Sequence, residues 1–156
     1  MNKYRSHNCS ELNEEEIGKL VTLSGWLHRK RDHGNLLFLD LRDHYGITQC
    51  VIENHNKYFS TLEKSRPESV LRIKGKVVKR SSGTENLELK TGKVEVKIDT
   101  VDILSSAKEL PIPVFGEQDY PEDIRLKFRF LDLRREEMHN NIILRSKVIS
   151  FIRSEM

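Results

Sequence analysis

A chain of 156 residues with 27 lysines and arginines against 24 aspartates and glutamates has a net charge of +3 and room for one domain plus a linker or partial second element. A hydrophobic fraction of 37% beside 33% charged residues suits a globular protein, and no apolar run approaches the ~20 residues of a spanning helix. The opening residues, Met1 to Asn8, are polar and contain no signal-peptide core, so a cytoplasmic location is expected.

A charge of +3 is too small to establish a nucleic-acid partner, so the distribution of charge carries that argument. Basic residues gather at Arg29, Lys30 and Arg31, and again along Arg72, Lys74, Lys76, Lys79 and Arg80. Either cluster alone reads as a solvated face. Cys9 and Cys50 lack the spacing of a zinc site or disulfide framework. His28 and His33 bracket the first basic segment without a thiol or carboxylate set, so they read as exposed loop histidines and no metal site is expected.

In chain order, Asn13 can cap a short helix or turn at Glu14 to Gly18, with Glu16 placed as in a capping box. Strand one is expected over Val21 to His28, with Val21, Leu23, Gly25 and Leu27 on one face and a bend or bulge at Gly25. A basic loop follows. Strand two, Leu36 to Arg42, puts Leu37, Leu39 and Leu41 on the core face and Leu36, Phe38, Asp40 and Arg42 on the other. Phe38 is thus an outward aromatic beside cations, as single-stranded nucleic acid requires for base stacking and phosphate contact. From the strand alone, a small surface cluster of Phe38 with Leu36 is equally open.

A turn over Asp43 to Gly46 leads into strand three, Ile47 to Ile52, where alternation does not decide which face is inside. Tyr58, Phe59 and Leu62 at helical spacing predict a short helix between Asn54 and Ser69, its aromatics in the core. Strand four is Val70 to Lys79, with Leu71, Ile73, Gly75 and Val77 inward. Strand five spans roughly Leu87 to Leu104, interrupted at Thr91 and Gly92 and slipping phase near Asp99 and Thr100. Three strands, a helix and two strands describe an all-β fold, the five-stranded Greek-key OB barrel, whose second and third strands bind oligonucleotides. This places the barrel in residues 1–106.

From Ala107 the prolines at 111, 113 and 121 predict a linker or hinge, residues 107–135, with a helical turn starting at Pro121. Residues 136–156 carry an apolar stripe, Ile142 to Ile152, too wide for a lone surface helix. It is expected to be the truncated first helix of a second domain or an oligomer interface.

The run Gly25-Trp26-Leu27-His28-Arg29-Lys30-Arg31-Asp32 with Leu37-Phe38-Leu39-Asp40-Leu41-Arg42-Asp43 resembles the amino-terminal domain of bacterial aspartyl-tRNA synthetases. Arg125-Leu126-Lys127-Phe128-Arg129-Phe130-Leu131-Asp132-Leu133-Arg134-Arg135 is similar to that family's linker into its class II α/β catalytic core. The resemblance implies that the barrel binds a tRNA anticodon loop: Phe38 stacks under the central uridine, Arg31 and Gln49 meet its edge, Arg80 the third base and Glu95 the first. Gln49 offers donor and acceptor together, as uracil needs, and a carboxylate accepts from guanine N–H groups. By residue type alone, Gln49 and Glu95 read as solvated strand residues.

His33 and Gly83 resemble residues of the non-discriminating form, which aspartylates both tRNA(Asp) and tRNA(Asn). The resemblance further implies a homodimeric enzyme using ATP and Mg2+, with no catalytic residue or cofactor site in residues 1–156. The competing reading is a free-standing OB module that binds single strands without base preference.

Overall fold

The computed structural model describes residues 3–81, 83–116 and 119–156, and the chain separates into two compact units, residues 1–108 and 109–156. In the first, β1 (Leu20–Asp32), β2 (Leu36–Arg42), β3 (Ile47–Glu53), β4 (Val70–Lys79) and β5 (Val94–Ser105) close into a barrel in the order β1-β2-β3-β5-β4. Among the described residues, the β3–β5 pairing is parallel and the other four are antiparallel. The all-β OB architecture expected from element order is therefore present.

Alternation fills the barrel. Val21, Leu23 and Leu27 of β1, Leu37, Leu39 and Leu41 of β2, and Leu71, Ile73 and Val77 of β4 are all buried. Each such side chain contributes about 1.5–3 kcal/mol when taken from water. Closure also needs close backbone approach: a Cβ at Gly25 would overlap the Arg42 carbonyl, and one at Gly75 the Lys97 carbonyl. The helix α1 (Phe59–Lys64) lies between β3 and β4, with Leu62 buried and Tyr58 and Phe59 packed against the core.

Four details depart from the sequence reading. β1 pairs without interruption at Gly25 (opposite Leu71), and its irregularity falls at His28 instead, between the pairs Leu27–Leu41 and Arg29–Asp40. Arg29 to Arg31, read as loop, are strand, because this bulge lets pairing with β2 continue. β5 begins only at Val94; residues 86–92 form a knot of turns in which the Gly92 Cβ position is filled by the Asn86 carbonyl. Asn13 caps the 3-10 turn Glu14–Glu16, its side chain accepting from the Glu15 N–H at 2.7 Å, but Glu16 pairs with Lys19 at 3.1 Å. The phase slip near Asp99 is real, since Thr100 pairs with Lys74 and Ile98 with Gly75, leaving Asp99 as a bulge.

The second unit has its own small core of Ile112, Val114 and Leu131, flanked by Leu110, Tyr120, Ile124 and Phe128. It contains α2 (Glu122–Lys127), α3 (Arg129–Asp132) and α4 (Glu136–Glu155). Pro121 is the N-cap of α2. The fully buried Asp132 accepts from Arg125 Nε at 3.0 Å and Arg129 Nη1 at 2.6 Å, fixing the turn between α2 and α3. On α4, Leu144, Phe151 and Ile152 are exposed. Among the described residues no helix is long and apolar enough to cross a membrane.

Candidate nucleic-acid interface

Opposite residues of an antiparallel pair share a face, so register fixes which side chains meet. Ahead of the bulge, the odd-numbered residues Val21 to Leu27 point inward. His28 is the extra residue, and beyond it the parity reverses. Arg29 pairs with Asp40 and Arg31 with Phe38, which places both arginines on the outer face, while Lys30 pairs with the buried Leu39. Lys30 then runs to α1, where its Nζ donates to the Glu63 carbonyl at 2.5 Å. Were His28 paired in register instead of bulged, Arg29 and Arg31 would follow Leu27 into the core.

On the same face Asp40 pairs with Gln49 of β3. Arg31 Nη2 donates to Asp40 Oδ1 at 2.9 Å and to Gln49 Oε1 at 3.1 Å, and Gln49 Nε2 donates to Glu95 Oε2 at 2.7 Å. The four side chains form one chain across β1, β2, β3 and β5. Gln49 is 8% exposed and Asp40 9%, so the acceptors lie deep while Arg31 stays open to solvent. Burial raises the Asp40 carboxyl above the ordinary carboxylate range, against the opposing pull of Arg31, Arg80 and Arg29.

Phe38 is half-buried and stands beside this chain. His33, at the tip of the β1–β2 hairpin, meets it edge to face, with ring centroids 5.4 Å apart and planes at 88°. The tip is pinned from two sides. Asp32 Oδ1 accepts from the Gly34 N–H at 2.7 Å, and Asn54 Nδ2 donates to Asn35 Oδ1 at 2.9 Å.

Arg80, at the end of β4, is only 4% exposed. Its Nε donates to the Val94 carbonyl at 3.2 Å and its Nη1 to the Thr84 carbonyl at 3.4 Å. Nη2 is buried and has no partner among the described residues. Burial lowers its pKa from the ordinary value, and the charges of Glu95 and Asp40 partly offset this. Gly83 sits in the exposed loop beyond, at φ +84°, a conformation that favours glycine.

Arg31, Gln49 and Glu95 are thus joined directly, Phe38 flanks them, and Arg80 lies within electrostatic reach of Glu95. His33 touches Phe38, whereas a Cβ placed at Gly83 would meet open space among the described residues. Asp40 was not singled out by sequence reasoning, although its place two residues beyond Phe38 on the same face was the available signal.

This arrangement has an outward aromatic, orienting donors and acceptors, and an unused arginine N–H. Residues 21–104 match the family described as OB-fold nucleic acid binding domain, of the tRNA anti-codon type. The chain belongs to this family. Over all of its length it is 62% identical to an aspartate–tRNA(Asp/Asn) ligase of Pelagibacter ubique (strain HTCC1062) and 58% identical to one of Paramagnetospirillum magneticum (strain ATCC 700264 / AMB-1). It spans 26% and 18% of those two relatives. An asparaginyl-tRNA synthetase from Pyrococcus horikoshii superposes with a TM-score of 0.81 at 27% identity, over 95% of this chain and 34% of that one. Aspartyl-tRNA synthetase from Entamoeba histolytica shares the fold, with a TM-score of 0.82 at 20% identity, over 94% of this chain and 36% of its own. The barrel is thus an OB-fold nucleic-acid-binding domain of the tRNA anti-codon type, and the whole chain is similar to one part of much longer aspartate–tRNA(Asp/Asn) ligases.

Proposed function

We propose that the outer face of β1–β2–β3 reads the anticodon loop of tRNA(Asp), as part of an aspartate-tRNA ligase. The observation that carries this is the Arg31–Gln49–Glu95 chain lying against an outward Phe38. Phe38 stacks under the central uridine. Arg31 and Gln49 meet that base's edge. Glu95 has one oxygen engaged by Gln49 and takes the first base's N–H groups with its remaining acceptor capacity. The buried N–H of Arg80 serves the third base.

The test is a titration of the chain with anticodon stem-loops. Replacing the central uridine should lower affinity by about 1–3 kcal/mol, and equal binding of all central bases would overturn the reading. A binder without base preference would instead show only a salt slope of roughly 0.7 per phosphate contacted.

The parent protein activates aspartate with ATP and Mg2+ and works as a homodimer in the cytoplasm. Residues 107–135 act as its hinge and 136–156 open its class II domain; α4's exposed Leu144, Phe151 and Ile152 support a covered role for that helix. The ligands for ATP and magnesium belong to the longer protein. His33 against Phe38, and the side-chain-free Gly83 beside the Arg80 loop, relax readout of the third base, so that tRNA(Asn) is charged as well. Equal aspartylation of both tRNAs by the full-length enzyme is expected. A preference above about a hundredfold for tRNA(Asp) would remove this part alone.

A further inference from the structure

We propose that Asp40 is the positioning residue of this face, holding Arg31 and, through it, the Gln49 amide in the orientation that reads the central base. The proposal rests on the anticodon reading above and adds a residue with no base-contacting role there.

An arginine half open to solvent keeps most of its rotamer freedom, and ordering it on binding costs conformational entropy. Asp40 removes that freedom before RNA arrives, because its carboxylate, fixed in mid-strand and 9% exposed, takes Arg31 Nη2 at 2.9 Å. The same nitrogen donates to Gln49 Oε1 at 3.1 Å. A guanidinium only donates and an ionised carboxylate only accepts. Between Arg31 and Glu95 the Gln49 amide therefore has one satisfied orientation, oxygen toward Arg31 and nitrogen toward Glu95. Its second lone pair and second N–H are left pointing as a fixed acceptor and donor, which is what a uracil edge matches.

The negative charge of Asp40 is not what the fold needs at this position. Burial outweighs the attraction of three arginines and raises its pKa, so its charge opposes folding. Nor does it help electrostatically with RNA, since a carboxylate on an RNA-facing surface repels phosphate. These two facts give opposite signs for the two possible roles. A bystander carboxylate, once neutralised, leaves affinity for RNA equal or higher. A positioning carboxylate, once neutralised, lowers affinity for the cognate loop and erases the central-base preference.

The experiment compares two anticodon stem-loops, with central uridine or cytidine, on the 156-residue chain and its Asp40→Asn variant, alongside thermal melts. The variant should melt no lower than wild type. It should bind the uridine loop about tenfold more weakly and the cytidine loop unchanged or slightly better. Adding Asp40→Asn to Arg31→Ala should weaken the uridine loop no further, because one interaction cannot be lost twice. A folded variant that retains its uridine preference, or an additive double variant, overturns the role of Asp40 while the anticodon reading stands. No base preference in wild type overturns both. Unfolding of both Asp40→Asn and Asp40→Ser makes Asp40 a folding residue and likewise overturns the proposal.

Discussion

Two outward surfaces of the barrel carry comparable numbers of cations, and they are built differently. Along the middle of β4, Lys74 and Lys76 stand exposed and Arg72 pairs with the exposed Asp102 at 2.9 Å. On the β1–β2–β3 face, Arg31 is tied through nearly buried partners to β2, β3 and β5, and an aromatic ring lies beside it. Exposed ion pairs are worth ~0–1 kcal/mol and hold no geometry, whereas donors anchored on buried acceptors keep theirs. Charge is common to both faces, and orientation belongs to one. A formal charge of +3 could not have separated them.

The comparison can be broken most directly by removing its aromatic. Phe38→Ala should cost about 1–3 kcal/mol in affinity for the uridine stem-loop. Lys74→Gln combined with Lys76→Gln should leave the base preference untouched and change the salt slope by less than about 0.7, the amount expected from losing one phosphate contact. If the lysine pair costs more than Phe38→Ala, the recognition face has been misassigned to β1–β2–β3.

A smaller effect sharpens the contrast through pH. His28, at the bulge, is pushed down from the ordinary 6.5 to about 4 by burial and by the neighbouring charges of Arg42 and Arg29. The folded form disfavours the proton, so this contribution to stability is complete above pH 6.5 and is lost as pH falls from there toward 4. Protection against hydrogen exchange, taken relative to the intrinsic rate at each pH, should therefore fall first at Leu27 to Asp32 on acidification, with β4 amides following later. His28→Gln should remove that acid dependence. Uniform loss of protection across the barrel would show that the bulge carries no special sensitivity.

Much of the barrel was legible because its leucines alternate with polar residues. β2 and β4 follow this pattern cleanly, and the structure begins and ends both where alternation does. β3 was not legible in its faces. Thr48, Cys50 and Ile52 fill the interior, yet Gln49 and Val51 are buried too, so a two-sided strand leaves no contrast to read. β1 failed at one point for a related reason. The bulge at His28 breaks the period, and three consecutive basic residues beyond it look like a loop when they are a strand. Of the candidate site, Phe38 followed from sidedness, but the bond from Gln49 to Glu95 spans 46 positions and two strands that pair in parallel. No local pattern encodes such a contact. Asp40 escaped notice because an aspartate on an outward strand face is ordinarily solvated, and only the register with Arg29 and Gln49 shows that it is covered.

The bulge at His28 also gives this face a residue to spare. Substituting any one of Arg29, Lys30 or Arg31 changes a single side chain. Deleting His28 would leave Leu27 opposite Leu41 and Arg29 opposite Asp40 with no extra residue between them, so both guanidiniums would stay outward and Lys30 inward while the bulge itself disappears. When sequences of this kind are aligned, a one-residue gap at that position is therefore a claim that the strand runs straight there, with the same surface outward.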